Sequence, residues 1–303
     1  MKILPNFSPS AQKGFYFSLL GTFLVSTNFV TAKYALQGFD PLTFSLVWCS
    51  AATFYTLAII YLTQQQNQLS LARQSLLSVI LLGGLTGVGM LLGWKGLAIL
   101  DPSFVAFFKR FEPVLVILLS LIYLKERLFW GEIFSIVVIA LGGMGSALGR
   151  WEIIGEGLMF IIGSSLAIAL QLFLAKTSVD NIPPIILVFY RISIATGAIA
   201  LWTIASGELN FNVETRYWAV TFLGALLGSC LSFLCTFTSY RYWELSRSTI
   251  VLMLQPLFAL LLAAIFLQQF PTQQELIGGF VILMGSLSFV QQYIFQRDSK
   301  PKR

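Results

Sequence analysis

The chain carries one pattern twice, 143 residues apart, and the repeated unit is almost wholly apolar. Pro41 returns as Pro184, Ala32-Lys33 as Ala175-Lys176, Ser103 as Ser246, Pro113 as Pro256, Glu132 as Glu275 and Gly142 as Gly285. A repeat in a soluble chain points to a solenoid. A repeat of hydrophobic spans points instead to two membrane-embedded halves with a substrate site between them.

Composition supports the membrane reading. Hydrophobic residues make up 57% of the 303 residues and charged ones 11%, against about 45–50% and about 25% in soluble domains. Mean hydropathy is +0.81. A soluble chain of this length could not bury so much apolar surface, so lipid is the expected partner. The net charge of +6 does not indicate nucleic acid, because the cations cluster in short loops between spans, as membrane topology demands. There is no histidine, hence neither the commonest metal ligand nor the usual proton shuttle. Cys49, Cys230 and Cys235 sit inside apolar runs and read as small core residues, not as a disulfide or zinc framework. No metal or other cofactor is expected. The apolar stretch after Lys13 is too long for a secretory signal, so it reads as an uncleaved first helix.

Ten stretches are long enough to span a bilayer core, which needs about 20 apolar residues. They cover 14–35, 41–62, 75–98, 103–123, 130–148, 156–175, 184–206, 217–240, 246–267 and 275–295. Each is continuous, unlike the ten-residue alternating segments of a membrane barrel. The fold class is therefore all-α, with residues 1–150 forming one five-helix unit and 151–303 a second with a basic tail. Twelve of the nineteen Lys and Arg residues, among them Lys13, Arg73, Lys125, Arg127, Lys176 and Arg241, fall on one side; only Arg150 and Arg216 are in loops on the other. That bias places both termini in the cytoplasm of a multi-pass inner-membrane protein. Five spans per unit is an odd number, so the second unit is inverted relative to the first. Two inverted halves can exchange an inward-open for an outward-open shape. Gly83 and Gly87 in span 3, and Gly224 and Gly228 in the matching span 8, have the spacing that lets helix backbones approach closely; a flexible gate is the alternative.

Asn-Phe-Val-Thr-Ala-Lys (28–33) in span 1, and Pro113 followed by Leu-Lys-Glu-Arg-Leu (124–128), resemble the EamA-type drug/metabolite transporter superfamily, whose pattern is Pro…Leu-Gly-Glu-Arg. The second half keeps Pro256 but reads Leu-Gln-Gln-Phe-Pro at 267–271, so the motif is lost there. The resemblance covers nearly the whole chain. It implies a carrier, often an exporter of metabolites or amphipathic compounds, and leaves the substrate unnamed.

The polar residues within spans carry the functional expectation. Glu112 lies about 13 Å into span 4 at 1.5 Å per residue, near the midplane of a core about 30 Å thick. Lys109 and Arg110 precede it, and a charge at that depth costs about 2.5–3.5 kcal/mol on insertion scales. Lys109 and Glu112 share a helix face and can pair. Pro113 has no N–H, so a kink there frees the carbonyl of Lys109 beside the charges. Lys109 and Arg110 are expected to bind an anionic group, with Glu112 as pairing partner or proton carrier; the alternative is a network that fixes packing. The repeat extends the site. Glu112 maps to Gln255, just before the second kink residue Pro256; Asn28 maps to Gln171, and Trp48 to Arg191. Symmetric polar residues suggest a cavity shared by both halves, although interhelical hydrogen bonds would also account for Asn28 and Gln171. Arg191 is either a ligand-binding cation or the partner of Glu112. Lys33 and Lys95 lie near span ends and can snorkel. Glu132 and Glu275 begin spans 5 and 10, where a carboxylate suits the helix dipole. Lys125-Glu126-Arg127 reads as a loop anchor on the basic side.

The motifs HExxH, G-x-S-x-G and the P-loop are absent, so enzyme chemistry has no visible seat. A channel would carry repeated charge rings or a carbonyl filter; here the charge differs between halves. The expectation is a secondary carrier of small anionic or zwitterionic metabolites, working by alternating access, with export as one direction open to it. The alternative is an exporter of amphipathic or toxic compounds. Assembly into a homodimer is left open.

Overall fold

The computed structural model describes residues 9–71, 75–99, 109, 111–126, 128–145, 156–207, 209–266 and 268, with scattered positions from 273 to 288. All regular structure among them is helical. The helices are α1 (Pro9–Ala35), α2 (Pro41–Leu62), α3 (Leu76–Ile99), α4 (Phe111–Tyr123), α5 (Trp130–Gly145), α6 (Glu156–Ser178), α7 (Pro184–Ser206), α8 (Thr215–Tyr242) and α9 (Leu245–Phe266). Each αn corresponds to the expected span n. Among the described residues, seven are long and apolar enough to cross a membrane, and α4 is a shorter apolar helix. Most of span 10 and residues 103–108 and 110 of span 4, including Arg110, lie outside the described residues.

Local chemistry sets the helix ends. Asp40 Oδ1 accepts from the backbone N–H of Leu42 (3.0 Å) and Thr43 (2.9 Å), with Pro41 as the first helical residue. A carboxylate on the first free N–H groups and a proline where no N–H is needed are both strong start signals. Gly207, at φ 68°, ends α7 in the left-handed conformation that glycine adopts without strain.

The two halves are inverted. Ser10, at the start of α1, donates to the Tyr242 carbonyl (3.3 Å). Lys176, near the end of α6, donates to the carbonyls of Tyr240 (2.6 Å) and Trp243 (3.0 Å). The beginning of α1 and the end of its repeat mate α6 thus meet at one face. The hydroxyls of Thr53 and Thr196 lie 2.9 Å apart, and these residues are separated by the repeat length of 143. Two residues one repeat apart can touch only on the axis that relates the halves.

Packing follows the same axis. α1 lies along α8 as α3 lies along α6, α1 meets α9 as α6 meets α4, and α2 crosses α7. The glycine pairs are contact points. A Cβ at Gly83 or Gly87 would meet Ile194 or Ala195 of α7, and one at Gly224 or Gly228 would meet Trp48 of α2 or Asn28 of α1. The small residues let these backbones approach, which is the packing alternative of the sequence reading. Cys49 and Cys230 are buried and unpaired in this core, and Cys235 is half-buried and also unpaired.

Two helices are irregular. The middle of α8, Ala225–Leu231, is π-helical. α9 is broken by a turn at Met253–Leu254 that separates Leu245–Leu252 from Gln255–Phe266. Around Pro113 the Lys109 carbonyl, expected to lose its helical donor, takes a shorter-range one. Pro113 is the third residue of α4, where a missing N–H costs nothing, and the Lys109 carbonyl accepts from the Glu112 N–H at 3.3 Å.

Lys125 has φ 53° and its repeat mate Gln268 has φ 52°. This left-handed position is where the resembled family's Leu-Gly-Glu-Arg pattern carries glycine. A left-handed conformation costs a side-chain-bearing residue roughly 1–2 kcal/mol, of which glycine's extra unfolded-state freedom returns about half. Lys125→Gly is therefore expected to raise the melting temperature in detergent by about 2 °C. A lower melting temperature would show that the lysine side chain contributes more than its backbone costs.

Candidate functional site

Between the halves lies a cavity of about 140 Å³, with walls from α1, α3, α4, α6, α7, α8 and α9. Asn28, Lys109, Glu112, Gln171, Arg191 and Gln255 all line it. Both repeat-related pairs, Asn28 with Gln171 and Glu112 with Gln255, therefore face one space. Pro113 also lines it. Of the seven polar positions singled out from the sequence, only Arg110 lies outside the described residues.

The π-helical stretch of α8 explains much of the site. In a π turn the backbone hydrogen bonds reach one residue further, which offers carbonyls to neighbouring side chains, and such turns recur at functional sites. The Ser229 carbonyl accepts from Arg191 Nη2 at 3.1 Å, and the Ser229 hydroxyl accepts from Trp48 Nε1 at 2.6 Å. The repeat mates Trp48 and Arg191 thus converge on one residue of α8. The Gly228 carbonyl accepts from Asn28 Nδ2 at 3.5 Å and from the Ser232 hydroxyl.

Arg191 is 1% exposed. Besides Ser229, its guanidinium carbon lies 3.6 Å over the ring of Phe233, a favourable seat for a cation away from water. On α3, glycine makes room for the neighbouring groups. A Cβ at Gly93 would come within 2.9 Å of the Ser164 hydroxyl and 3.8 Å of Lys109 Nζ. Ser164 in turn donates to the Gly89 carbonyl at 2.7 Å.

Among the described residues, four buried polar atoms of the lining have no hydrogen-bond partner: Asn28 Oδ1, Trp94 Nε1, Gln171 Nε2 and Arg191 Nε. Leaving a buried donor or acceptor unsatisfied costs about 1–3 kcal/mol. All four belong to residues of the cavity wall, which therefore holds unsatisfied polar groups as well as apolar ones. The described charges there, Lys109, Arg191 and Glu112, leave a net positive character.

Sequence reading missed Trp94, Ser229, Ser232, Phe233 and Thr236, which also line the cavity. The spacing of Ser229, Ser232 and Thr236 along an apolar span was a usable signal. Trp94 was not separable from the many aromatic residues of the spans.

The sequence profile of the EamA-like transporter family matches the chain twice, over residues 12–147 and 155–291. A protein of Archaeoglobus fulgidus described as an uncharacterized transporter is 27% identical over 177 residues, covering 58% of this chain and 62% of its own. The chain thus spans less than two thirds of that relative's length. A crystal structure of a protein with 16% identity shares the fold, with a TM-score of 0.75 over 97% of this chain and all of its own.

Proposed function

The chain belongs to the EamA-like transporter family, and on that premise we propose that it is a secondary carrier of small anionic or zwitterionic metabolites. It is a multi-pass membrane protein, and its two units, 1–150 and 151–303, work as inverted halves in alternating access. The Lys- and Arg-rich face is cytoplasmic, which puts both termini on the cytoplasmic side of the inner membrane. Export is the working direction.

The observation that carries this reading is the convergence of Asn28, Lys109, Glu112, Gln171, Arg191 and Gln255 on one cavity between the halves. Lys109 and Arg191 supply two cations against one carboxylate, and Trp94, Gln171 and Arg191 each hold a buried donor with no hydrogen-bond partner among the described residues. Such groups suit a carboxylate or phosphate oxygen. Glu112 and Asn28 Oδ1 offer an acceptor side for an amino group, which is why zwitterions belong to the class. Arg110 is proposed to add to the positive character of the same site. Glu112, the mid-span carboxylate, is the residue proposed to carry a coupling proton.

A thermal-stability screen of the detergent-purified protein tests this. It uses phosphorylated, carboxylate, zwitterionic and cationic compounds. A ligand at one hundred times its dissociation constant stabilises by about 2.7 kcal/mol. Anionic or zwitterionic compounds are expected to stabilise the native protein but not Lys109→Ala or Arg110→Ala, both of which should fold and lose transport. Full transport in both variants would sink the proposal. A second reading, efflux of amphipathic or toxic compounds, is favoured by the apolar share of the same wall, including Phe29, Met90, Trp94, Leu97 and Phe233. Stabilisation by neutral or cationic amphiphiles alone would select it.

A further inference from the structure

We propose that Glu126 is a positioning residue for transport, the latch that holds the half-helix Leu245–Leu252 as the gate between the cavity and the basic face. Glu126 lies in the loop between α4 and α5 of the first half. Its Oε1 accepts from the Leu245 N–H and its Oε2 from the Ser246 N–H, both at 2.9 Å. The partners are 119 and 120 residues away in the second half. A carboxylate on the first N–H groups of a helix makes charge-assisted bonds and meets the positive end of the helix dipole.

The element it holds is built to move as a unit. Leu245–Leu252 is eight residues long. It begins at the corner after α8 and ends at the Met253–Leu254 turn, where Met253 N–H bonds the Ile250 carbonyl (3.1 Å) and Leu254 N–H the Val251 carbonyl (3.0 Å). Met253 N–H also keeps its regular bond to the Thr249 carbonyl (3.1 Å), so the ladder tightens into a turn at this end of the segment, while the corner after α8 bounds the other. The segment places Thr249 and Leu252 in the cavity wall, while Leu245, Ser246 and Ile250 are buried. It therefore stands between the cavity and the face where the α8–α9 corner is pinned by Lys176. The segment is also tied by neutral contacts, the Ser18 hydroxyl donating to the Ser248 carbonyl at 3.0 Å and the Ser239 and Ser248 hydroxyls lying 3.1 Å apart, while the Arg247–Glu244 ion pair at 2.8 Å is local to the corner. Glu126 brings a charged tie from the first half.

The sequence does not permit the same latch on the opposite face. The repeat mates of Leu245 and Ser246 are Pro102 and Ser103, and that of Glu126 is Gln269. Pro102 has no N–H to donate, and glutamine carries no charge. Opening toward the basic face thus requires breaking two strong hydrogen bonds, and the repeat-related positions on the opposite face cannot form their equivalent.

This inference rests on the alternating-access reading, but its test needs no substrate and so can fail separately. The full chain, with Cys49, Cys230 and Cys235 replaced by alanine, carries Thr249→Cys as a reporter in membrane vesicles. A membrane-impermeant maleimide is applied from the basic face. Glu126→Gln is expected to speed labelling roughly tenfold and Glu126→Ala more, since hydrogen bonds to charged groups are the strong ones. Glu126→Asp, which keeps the charge, should return the rate toward that of the parent. An unchanged rate in Glu126→Ala overturns the latch. Should the cysteine background fail to fold, hydrogen exchange on Glu126→Gln in the otherwise native protein decides. Faster exchange confined to 245–252, with 255–266 unaffected, supports the latch. Faster exchange across both segments, or in neither, makes Glu126 an ordinary structural cap and overturns it.

Discussion

Replacing Arg191 is expected to abolish transport. The residue sits in the middle of α7, 1% exposed, with Nη2 bonded to the Ser229 carbonyl at 3.1 Å and its planar head over the Phe233 ring at 3.6 Å. Those two contacts occupy one edge and one face of the guanidinium. Nε has no partner among the described residues, and the residue lines the cavity. Removing the side chain withdraws a cation from the site and leaves the Ser229 carbonyl of the π turn without this donor. Arg191→Met keeps most of the volume and none of the charge. It should fold, lose about 1–3 kcal/mol from the unsatisfied carbonyl, and reduce flux in proteoliposomes by roughly a hundredfold or more, as expected of a residue whose charge meets the substrate. Arg191→Lys is the sharper variant. Lysine keeps the charge but cannot serve the carbonyl, the ring and the cavity from one planar group, so a loss of roughly tenfold or more is expected without unfolding. Proteoliposome flux, read beside ligand-induced thermal stabilisation, separates the two effects. Near-native flux in Arg191→Met would mean that the arginine only packs α7 against α8.

That the sequence nominates Arg191, and is silent on what holds it, has one physical root. A charge or amide deep in an apolar span has few reasons to be there, so Asn28, Lys109, Glu112, Gln171, Arg191 and Gln255 stood out one by one, and the repeat matched Asn28 with Gln171 and Glu112 with Gln255. The inverted topology was legible because it follows from parity: five spans in each unit. Partners were not legible. Nothing in Ala225–Leu231 marks a π turn, so the exposed carbonyls of Gly228 and Ser229 could not be foreseen, nor could the meeting of Trp48 and Arg191 on Ser229. Glu126 read as a loop anchor because its neighbours Lys125 and Arg127 are cationic. Its true partners, two backbone N–H groups in the other half, carry no side-chain signature. At Pro113 one consequence is visible: the Lys109 carbonyl, which cannot receive a bond from the proline, accepts from the Glu112 N–H instead.

Gly228→Ala is the substitution expected to cost most in stability, and it should do so through a single partner. A Cβ at Gly228 would overlap the Asn28 amide, colliding with both Oδ1 and Cγ. α1 lies along α8 there, and the clash falls on the π turn that positions Ser229 for Arg191. Overpacking of this kind costs about 1–3 kcal/mol, and in this place it also pushes α1 away from the cavity. Asn28→Ala alone should be nearly neutral. Its bond to the Gly228 carbonyl is long at 3.5 Å, its Oδ1 is unsatisfied, and interhelical hydrogen bonds in membranes average about 0.6 kcal/mol. In the Asn28→Ala background the added methyl at 228 has room, so the two changes should be strongly non-additive, with a coupling of about 1–2 kcal/mol as expected for residues in contact. Gly84→Ala provides the reference: nothing lies within 4 Å of its Cβ position, so it should be neutral or mildly stabilising. Thermal unfolding of the four proteins measures the cycle. If Gly228→Ala costs as much in the Asn28→Ala background as beside the native Asn28, the glycine is needed for the π turn itself and not for room. If stability returns in the double variant while ligand-induced stabilisation does not, Asn28 is acting on the occupant of the cavity and its long bond to Gly228 only keeps it in place.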